Sequence, residues 1–436
     1  MKEMFKKVLA NLEEFGLRMA SWTYLAVIRD AFTDLLPLII TGSFAVLINN
    51  VLCSPTNGIA QYAGFEFLTQ FSPIFNAINY ATMNFIAIFL VYRIAHKMAE
   101  VRQIAPILAG FVALASFVSL LPTVVSGKSA TAEIVNIANV LASKYTNAQG
   151  MFLAIIIGIL SIEIFNLLIK SGKFNIKMPE SVPTGVSRSF SVLFPSMITI
   201  FAFGLLGFLF TKFTGSVLPD FITKTLQTPM EAIMQHPAGV IVLVMVAQIF
   251  WMFGIHGAQM ISPVRTTIGL AAIAQNLAAY EAGLALPNIF TFSFWNTYGT
   301  IGGSGNTIGL IVAIFLLSKR ADHKSIAKLS TVPAIFGINE PMIFGVPIVF
   351  NPLLAIPFIL APVVTAAMGY FATSIGFAQA AIMTVPFTVP PLINAYISTA
   401  GSIGAVITQF AGIIVSILIY LPFVKFLNDQ KVESVK

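Results

Sequence analysis

Apolar residues run in long blocks along this chain, separated by short polar connections, and each block has the length of a membrane crossing. At about 20 residues per crossing, such blocks are read at 31 to 50, 76 to 95, 103 to 122, 150 to 170, 190 to 211, 238 to 260, 305 to 318, 353 to 375 and 402 to 424. The pattern predicts nine clear spans. Two further apolar stretches, 263 to 300 and 376 to 400, are interrupted by Gly, Pro and Asn. They read as re-entrant or broken pieces, one of which can complete a tenth span. Between Thr211 and His236 the apolar positions Phe213, Val217, Leu218, Phe221, Ile222 and Leu226 mix with Lys212, Asp220, Lys224 and Glu231. That mixture predicts an amphipathic connector at the membrane surface.

Composition supports the same class. Only 9% of residues are charged, 57% are hydrophobic and the mean hydropathy is +0.89, far more apolar than a soluble domain of this length. The fold class is therefore an all-α polytopic membrane protein. Its organisation is a five-span scaffold over 1–211, a connector over 212–236, and a half over 237–436 whose apolar sequence holds most of the Gly and Pro interruptions. Binding is expected in that second half.

Charge placement sets the orientation. Eighteen of the 24 basic residues fall in five places: Lys2, Lys6, Lys7 and Arg18; Arg93, Lys97 and Arg102; Lys170, Lys173, Lys177 and Arg188; Lys319, Arg320, Lys324 and Lys328; and Lys425, Lys431 and Lys436. No basic residue lies between Asn49 and Phe75. The positive-inside rule then puts both termini and these loops in the cytoplasm, which requires an even number of crossings and favours ten. A net charge of +7 spread over five loops is topology and not a nucleic-acid surface. The first 20 residues set Phe5, Leu9, Leu12 and Phe15 against Lys2, Lys6, Glu13 and Glu14, an interfacial helix pattern and not a cleavable signal. The single cysteine, Cys53, excludes an internal disulfide framework and falls in an expected external loop.

Candidate chemistry centres on FGINEPMIFGVPIVFNP, Phe336 to Pro352. Pro341, Pro347 and Pro352 break the helical ladder, which hydrocarbon tolerates only where the chain is buried in protein or lines a water-filled cavity. Glu340, flanked by Asn339 and Asn351, is thus expected to face a pocket suited to a hydroxyl-rich or cationic solute. His256 in FGIHGAQM can donate to an oxyanion or accept a proton, though a lone His among apolar residues is more often a satisfied core group. His96, His236 and His323 read as solvated loop residues, and the four His show no metal-ligand spacing. The stretch FWNTYGTIGGSGNTIGL, Phe294 to Leu310, reads as packing before phosphate binding, because it lacks the Lys of a nucleotide loop. Trp251 and Trp295 are equally readable as sugar-stacking or interfacial rings. Arg29, Asp30 and Asp34 read as an ion-paired helix end.

Taken in order, FGIHG, a Gly-rich stretch after FWN, and GINEP followed by GVPIVFNP make the chain resemble, over essentially its whole length, the membrane-embedded IIC component of a sugar phosphotransferase system. The subfamily resembled is that of lactose, cellobiose and diacetylchitobiose. The resemblance implies ten transmembrane helices plus two re-entrant hairpins, a homodimer built through the N-terminal half, and a disaccharide held by the C-terminal half in a bacterial cytoplasmic membrane. It implies that a separate IIB protein, charged as a cysteinyl phosphate, phosphorylates the sugar's 6-hydroxyl. Glu340 would bond that hydroxyl and His256 would stand near the reacting centre, with Asn339, Trp251 and Gln259 as further substrate contacts and no cofactor or metal. The difference in texture between the halves, apart from the resemblance, suggests that the C-terminal half moves against the N-terminal scaffold for alternating access. Composition alone would favour a proton- or cation-coupled secondary sugar transporter, with Glu340 and His256 as its relay.

Overall fold

The computed structural model describes residues 22–55, 58–128, 134–176, 179, 183, 187, 190–346, 348–349 and 351–429. The amphipathic pattern of the first 20 residues, Lys177, Arg188, Pro347, Lys431 and Lys436 lie outside them. In chain order the main helices are α1 (Thr23–Ile48), α2 (Ser72–Met83), α3 (Ile86–Arg102), α4 (Pro106–Val118), α5 (Met151–Lys170), α6 (Leu193–Thr214), α7 (Pro237–Met252), α8 (Ser262–Glu281) and α9 (Thr307–Leu317). They continue with α10 (Ala321–Ile335), α11 (Glu340–Gly345), α12 (Pro352–Ser374), α13 (Ile393–Ser398) and α14 (Ile403–Asp429).

The fold is mostly helical, and it corrects the all-α expectation at one place. Strands β1 (Val124–Lys128) and β2 (Ile134–Ala138) pair antiparallel with Val124 opposite Ala138 and Lys128 opposite Ile134. The β-branched pairs Val124–Val125 and Ile134–Val135 favour extended backbone, a short signal that the search for long apolar blocks passes over.

Seven helices are long and apolar enough to cross a membrane, or eight if the bent pair Leu218–Gln235 and Pro237–Met252 is one crossing, among the described residues. Some expected blocks take other forms for local reasons. The block at 103 to 122 becomes α4, only 13 residues, because Pro106 opens it and Ser119 closes it. The block expected from 263 to 300 begins as the unbroken 20-residue α8, so its interruptions are confined to the part after Glu281. The 376 to 400 stretch is broken as expected: it is irregular up to α13 and its Ile382 N–H donates to the Ser398 carbonyl at 2.9 Å.

The chain divides into two compact units, Thr23–Gly42 with Ala77–Met230, and Ser43–Asn76 with the chain from Glu231 onward. In the first, α3 packs on α4 and α5. Arg29 pairs with Asp30 at 2.9 Å, whereas Asp34 takes Arg93 at 2.5 Å and Lys97 at 3.7 Å, both from α3. The charged helix end is thus neutralised by a partner distant in sequence. In the second unit a core of Trp251, Leu310, Ile343, Phe358, Tyr420 and Val424 joins α7, α9, α11, α12 and α14. Cys53 is buried in a π-helical turn, Asn49–Cys53, and not in an external loop.

His323 also differs from its reading as a solvated residue. It is 3% exposed on α10, with its Nδ1 buried and without a hydrogen-bond partner. Burial, and next the Arg320 charge, push its pKa below the ordinary 6.5, against a smaller pull from Asp322. The folded chain holds the ring neutral while the unfolded chain protonates it. Stability from this group is therefore full above about pH 6.5 and is lost as pH falls through that value towards the depressed one. Thermal unfolding of the solubilised protein is expected to shift down between about pH 7 and 5, and His323→Gln to flatten that slope. Equal slopes in the two proteins would contradict the assignment.

Candidate functional site

The site is built in the second unit from two reversals of the chain. After α7 ends at Met252, His256 takes the cap position of the short turn Gly257–Met260. Its Nδ1 accepts the Gln259 backbone N–H at 3.3 Å. With that lone pair occupied, the neutral ring carries its proton on Nε2. The imidazole lies against the Trp251 indole, ring centroids 4.5 Å apart, which fixes its plane.

The second reversal brings Glu340. Helix α10 ends at Ile335, and Asn339 caps α11 with Pro341 just inside it, where a missing backbone donor costs nothing. Glu340 Oε1 stands 3.7 Å from His256 Nε2, and the two side chains are 43% and 37% exposed. These residues, 84 positions apart, therefore meet. At 3.7 Å the contact is electrostatic and longer than a hydrogen bond. The pair sets a carboxylate acceptor beside an imidazole.

The Gly-rich loop supports this pair from below. Asn339 is buried and its Nδ2 donates to the Ser304 carbonyl at 2.8 Å. Gly303 sits at φ 96° with the Asn339 side chain where a Cβ would be. Asn306 holds the loop's far side: its Oδ1 accepts Ile301 N–H at 2.8 Å, and its Nδ2 donates to Thr365 and Ser416 hydroxyls at 2.8 and 3.2 Å. Gly305 N–H goes to Gln248 Oε1 at 3.0 Å. The Ile301 and Gly305 amides are thus engaged within the fold, in keeping with a packing role for the run.

The other sequence candidates fall into distinct places. Trp251 is buried beneath His256, and Trp295 is 1% exposed in the core around Phe294 and Tyr298; neither is an interfacial anchor. Gln259 acts on His256 through its backbone, and its side chain is exposed. Asn351 caps α12, accepting from Leu353 and Leu354 N–H at 3.1 and 3.3 Å. Sequence reasoning missed Gln248, which fastens the loop. It also missed Arg265, whose only signal is that it is a charge inside the apolar stretch 263 to 300. No group of three or more His, Cys, Asp or Glu able to hold a metal occurs among the described residues.

Known proteins share both the sequence and this architecture. The model of the family "Phosphotransferase system, EIIC" matches residues 29–362. The chain is 34% identical to the lichenan permease IIC component of Bacillus subtilis (strain 168), covering 96% of this chain and 92% of that one. It is 33% identical to the oligo-beta-mannoside-specific EIIC component of the same organism, covering 99% and 96%. The crystal structure of the transporter ChbC, the IIC component from the N,N'-diacetylchitobiose-specific phosphotransferase system, superposes with a TM-score of 0.89 at 33% identity, over 95% of this chain and 96% of that chain. A family match across both reversals that carry His256 and Glu340, with the same fold over nearly the full length, makes this chain a member of the EIIC family of the phosphotransferase system.

Proposed function

We propose that this chain is the permease for a short β-linked glycan of the cellobiose or diacetylchitobiose type, and that it presents the sugar's 6-hydroxyl for phosphorylation by a separate IIB partner. The observation that carries the reading is the 3.7 Å approach of His256 Nε2 to Glu340 Oε1, both partly exposed. The relatives named for lichenan, oligo-beta-mannoside and diacetylchitobiose support the substrate class.

In this mechanism Glu340 accepts the 6-hydroxyl hydrogen and orients the oxygen. The bond from sugar oxygen to phosphorus forms as the partner's cysteinyl sulfur–phosphorus bond breaks, and the hydroxyl proton passes to Glu340. His256, holding its proton on Nε2, donates to a phosphoryl oxygen. Such transfers depend mainly on positioning and on donors around the equatorial oxygens. Buried Trp251 keeps the imidazole in place, and Asn339 ties Glu340's helix to the Gly-rich loop. The same reading takes ten spans with cytoplasmic termini, residence in the bacterial cytoplasmic membrane, and a homodimer through the N-terminal scaffold over 1–211, with the connector over 212–236 and the transport half over 237–436.

The test is the chemical form of a labelled disaccharide after uptake by cells expressing the chain with its soluble phosphotransfer partners. A 6-phosphate whose formation stops when the IIB partner is deleted is the expected result. Unmodified sugar inside the cell, lost on adding an ionophore, would replace this reading with a cation-coupled transporter.

A further inference from the structure

Arg265 stands in the first turn of α8, nine positions after His256. It is a partly buried cation whose partners are ring faces: its Cζ lies 5.4 Å from the Phe292 ring centre and 5.1 Å from that of Trp295. Its Nε is closed off from solvent and has no hydrogen-bond partner. The other four described arginines all have a carboxylate at ion-pair distance: Arg29 with Asp30, Arg93 with Asp34, Arg102 with Glu163 and Arg320 with Asp322. Arg265 has none among the described residues.

A guanidinium remains charged at any physiological pH, so its neighbourhood cannot be relieved by deprotonation. Ring faces offset part of the lost hydration, but they supply no acceptor for its N–H groups. A guanidinium that lies near two ring faces with its Nε sealed, and that has no carboxylate partner among the described residues, suits a bidentate oxyanion. With Nε sealed, the donors left for such a ligand are Nη1 and Nη2. Its seat is also tied to the chemistry. Trp295 opens the turn Trp295–Gly299, the chain then enters the Gly-rich loop, and the Ser304 carbonyl of that loop holds Asn339 beside Glu340.

We infer that Arg265 is a binding residue for a phosphate monoester in the sugar-holding half, its Nη groups pairing with phosphoryl oxygens; this rests on the phosphotransferase reading above. The oxygens come either from the 6-phosphorylated sugar or from the phosphoryl group in transit from the IIB partner. Neutral sugar hydroxyls are poorer occupants, because they leave the cation without a counter-charge.

The test uses the full chain in lipid nanodiscs, titrated with cellobiose, diacetylchitobiose and their 6-phosphates. Arg265→Gln is expected to weaken 6-phosphate binding tenfold or more while the unmodified disaccharide changes less than twofold, which also reports an intact fold. Arg265→Lys, which keeps charge but loses the fork, is expected to fall between. Single-turnover transfer from phosphorylated IIB separates the two sources: a slowed step assigns the group in transit, and an unchanged step with weakened product binding assigns the product. Parallel loss of both ligands in Arg265→Lys, or unchanged 6-phosphate affinity together with unchanged transfer in Arg265→Gln, would overturn the inference. Wild-type protein that binds disaccharide and not its 6-phosphate, with transfer unchanged in Arg265→Gln, sinks this inference alone. Wild-type protein that binds neither sugar form, yet is stabilised by inorganic phosphate in an Arg265-dependent way, keeps the anion site and sinks the sugar reading.

Discussion

Glu340→Gln is expected to reduce IIB-dependent sugar phosphorylation by about 10²- to 10⁴-fold, the usual span for losing a general base, with disaccharide binding far less affected. The substitution keeps the side chain's size and one carbonyl acceptor at the position 3.7 Å from His256 Nε2, so the hydroxyl can still be held. It cannot take the hydroxyl proton. The loss therefore belongs to the chemical step, and a fall in the rate of transfer at saturating sugar separates it from weakened binding. Glu340→Asp retains the base on a shorter arm and is expected to keep partial activity, because misplacement of the acceptor degrades alignment. Single-turnover transfer from phosphorylated IIB measures all three proteins. Normal transfer by the Gln variant would falsify the role of Glu340.

Gly305→Ala is expected to be strongly destabilising. Gly305 has φ 75°, and a Cβ there would lie 2.2 Å from ring carbons of Phe358. The left-handed backbone costs a non-Gly residue about 1–2 kcal/mol, and overpacking a core adds typically about 1–3 kcal/mol. The loop cannot shift freely to relieve the overlap, because Gly305 N–H is held by Gln248 at 3.0 Å and its carbonyl by the Tyr420 hydroxyl at 2.5 Å. Loss of monodisperse protein on size exclusion, with a strongly lowered unfolding temperature, is the expected outcome. Phe358→Leu in the same chain makes room for the methyl and should recover part of the loss. A Gly305→Ala protein as stable as the wild type would mean that the loop is not held as described.

Much of the site was legible because its residues break local rules. A carboxylate followed by proline in apolar sequence, and a histidine between glycines, conflict with a continuous membrane helix, and such conflicts concentrate at functional positions. Glu340 stood out for that reason, whereas His256, read from its spacing as a core group, stood out through the family resemblance. Arg265 conflicts equally, but a lone basic residue also fits an ordinary helix end, and only the absence of a carboxylate beside it makes it informative. Asn339 and Trp251 were legible as polar and aromatic neighbours of those motifs. Their side chains nonetheless serve as supports in the structure, one tied to Ser304 and the other packed under the imidazole. His323 was misread because its polar surroundings in sequence, Asp322 and Lys324, say nothing of what covers the ring.

The sequence by itself determined the class, the apolar blocks and the two interrupted motifs. These follow from hydropathy and from proline and glycine stereochemistry, which act within a few residues. Only the tertiary structure decided that His256 and Glu340 meet, that Asp34 is neutralised by α3, that Asn306 pins the Gly-rich loop to Thr365 and Ser416, and that Arg265 rests near two aromatic rings with no counter-charge among the described residues. Each of these contacts joins positions remote in sequence or depends on what is missing from a neighbourhood. The packing of helices against one another sets such contacts, and no local pattern of residues encodes them.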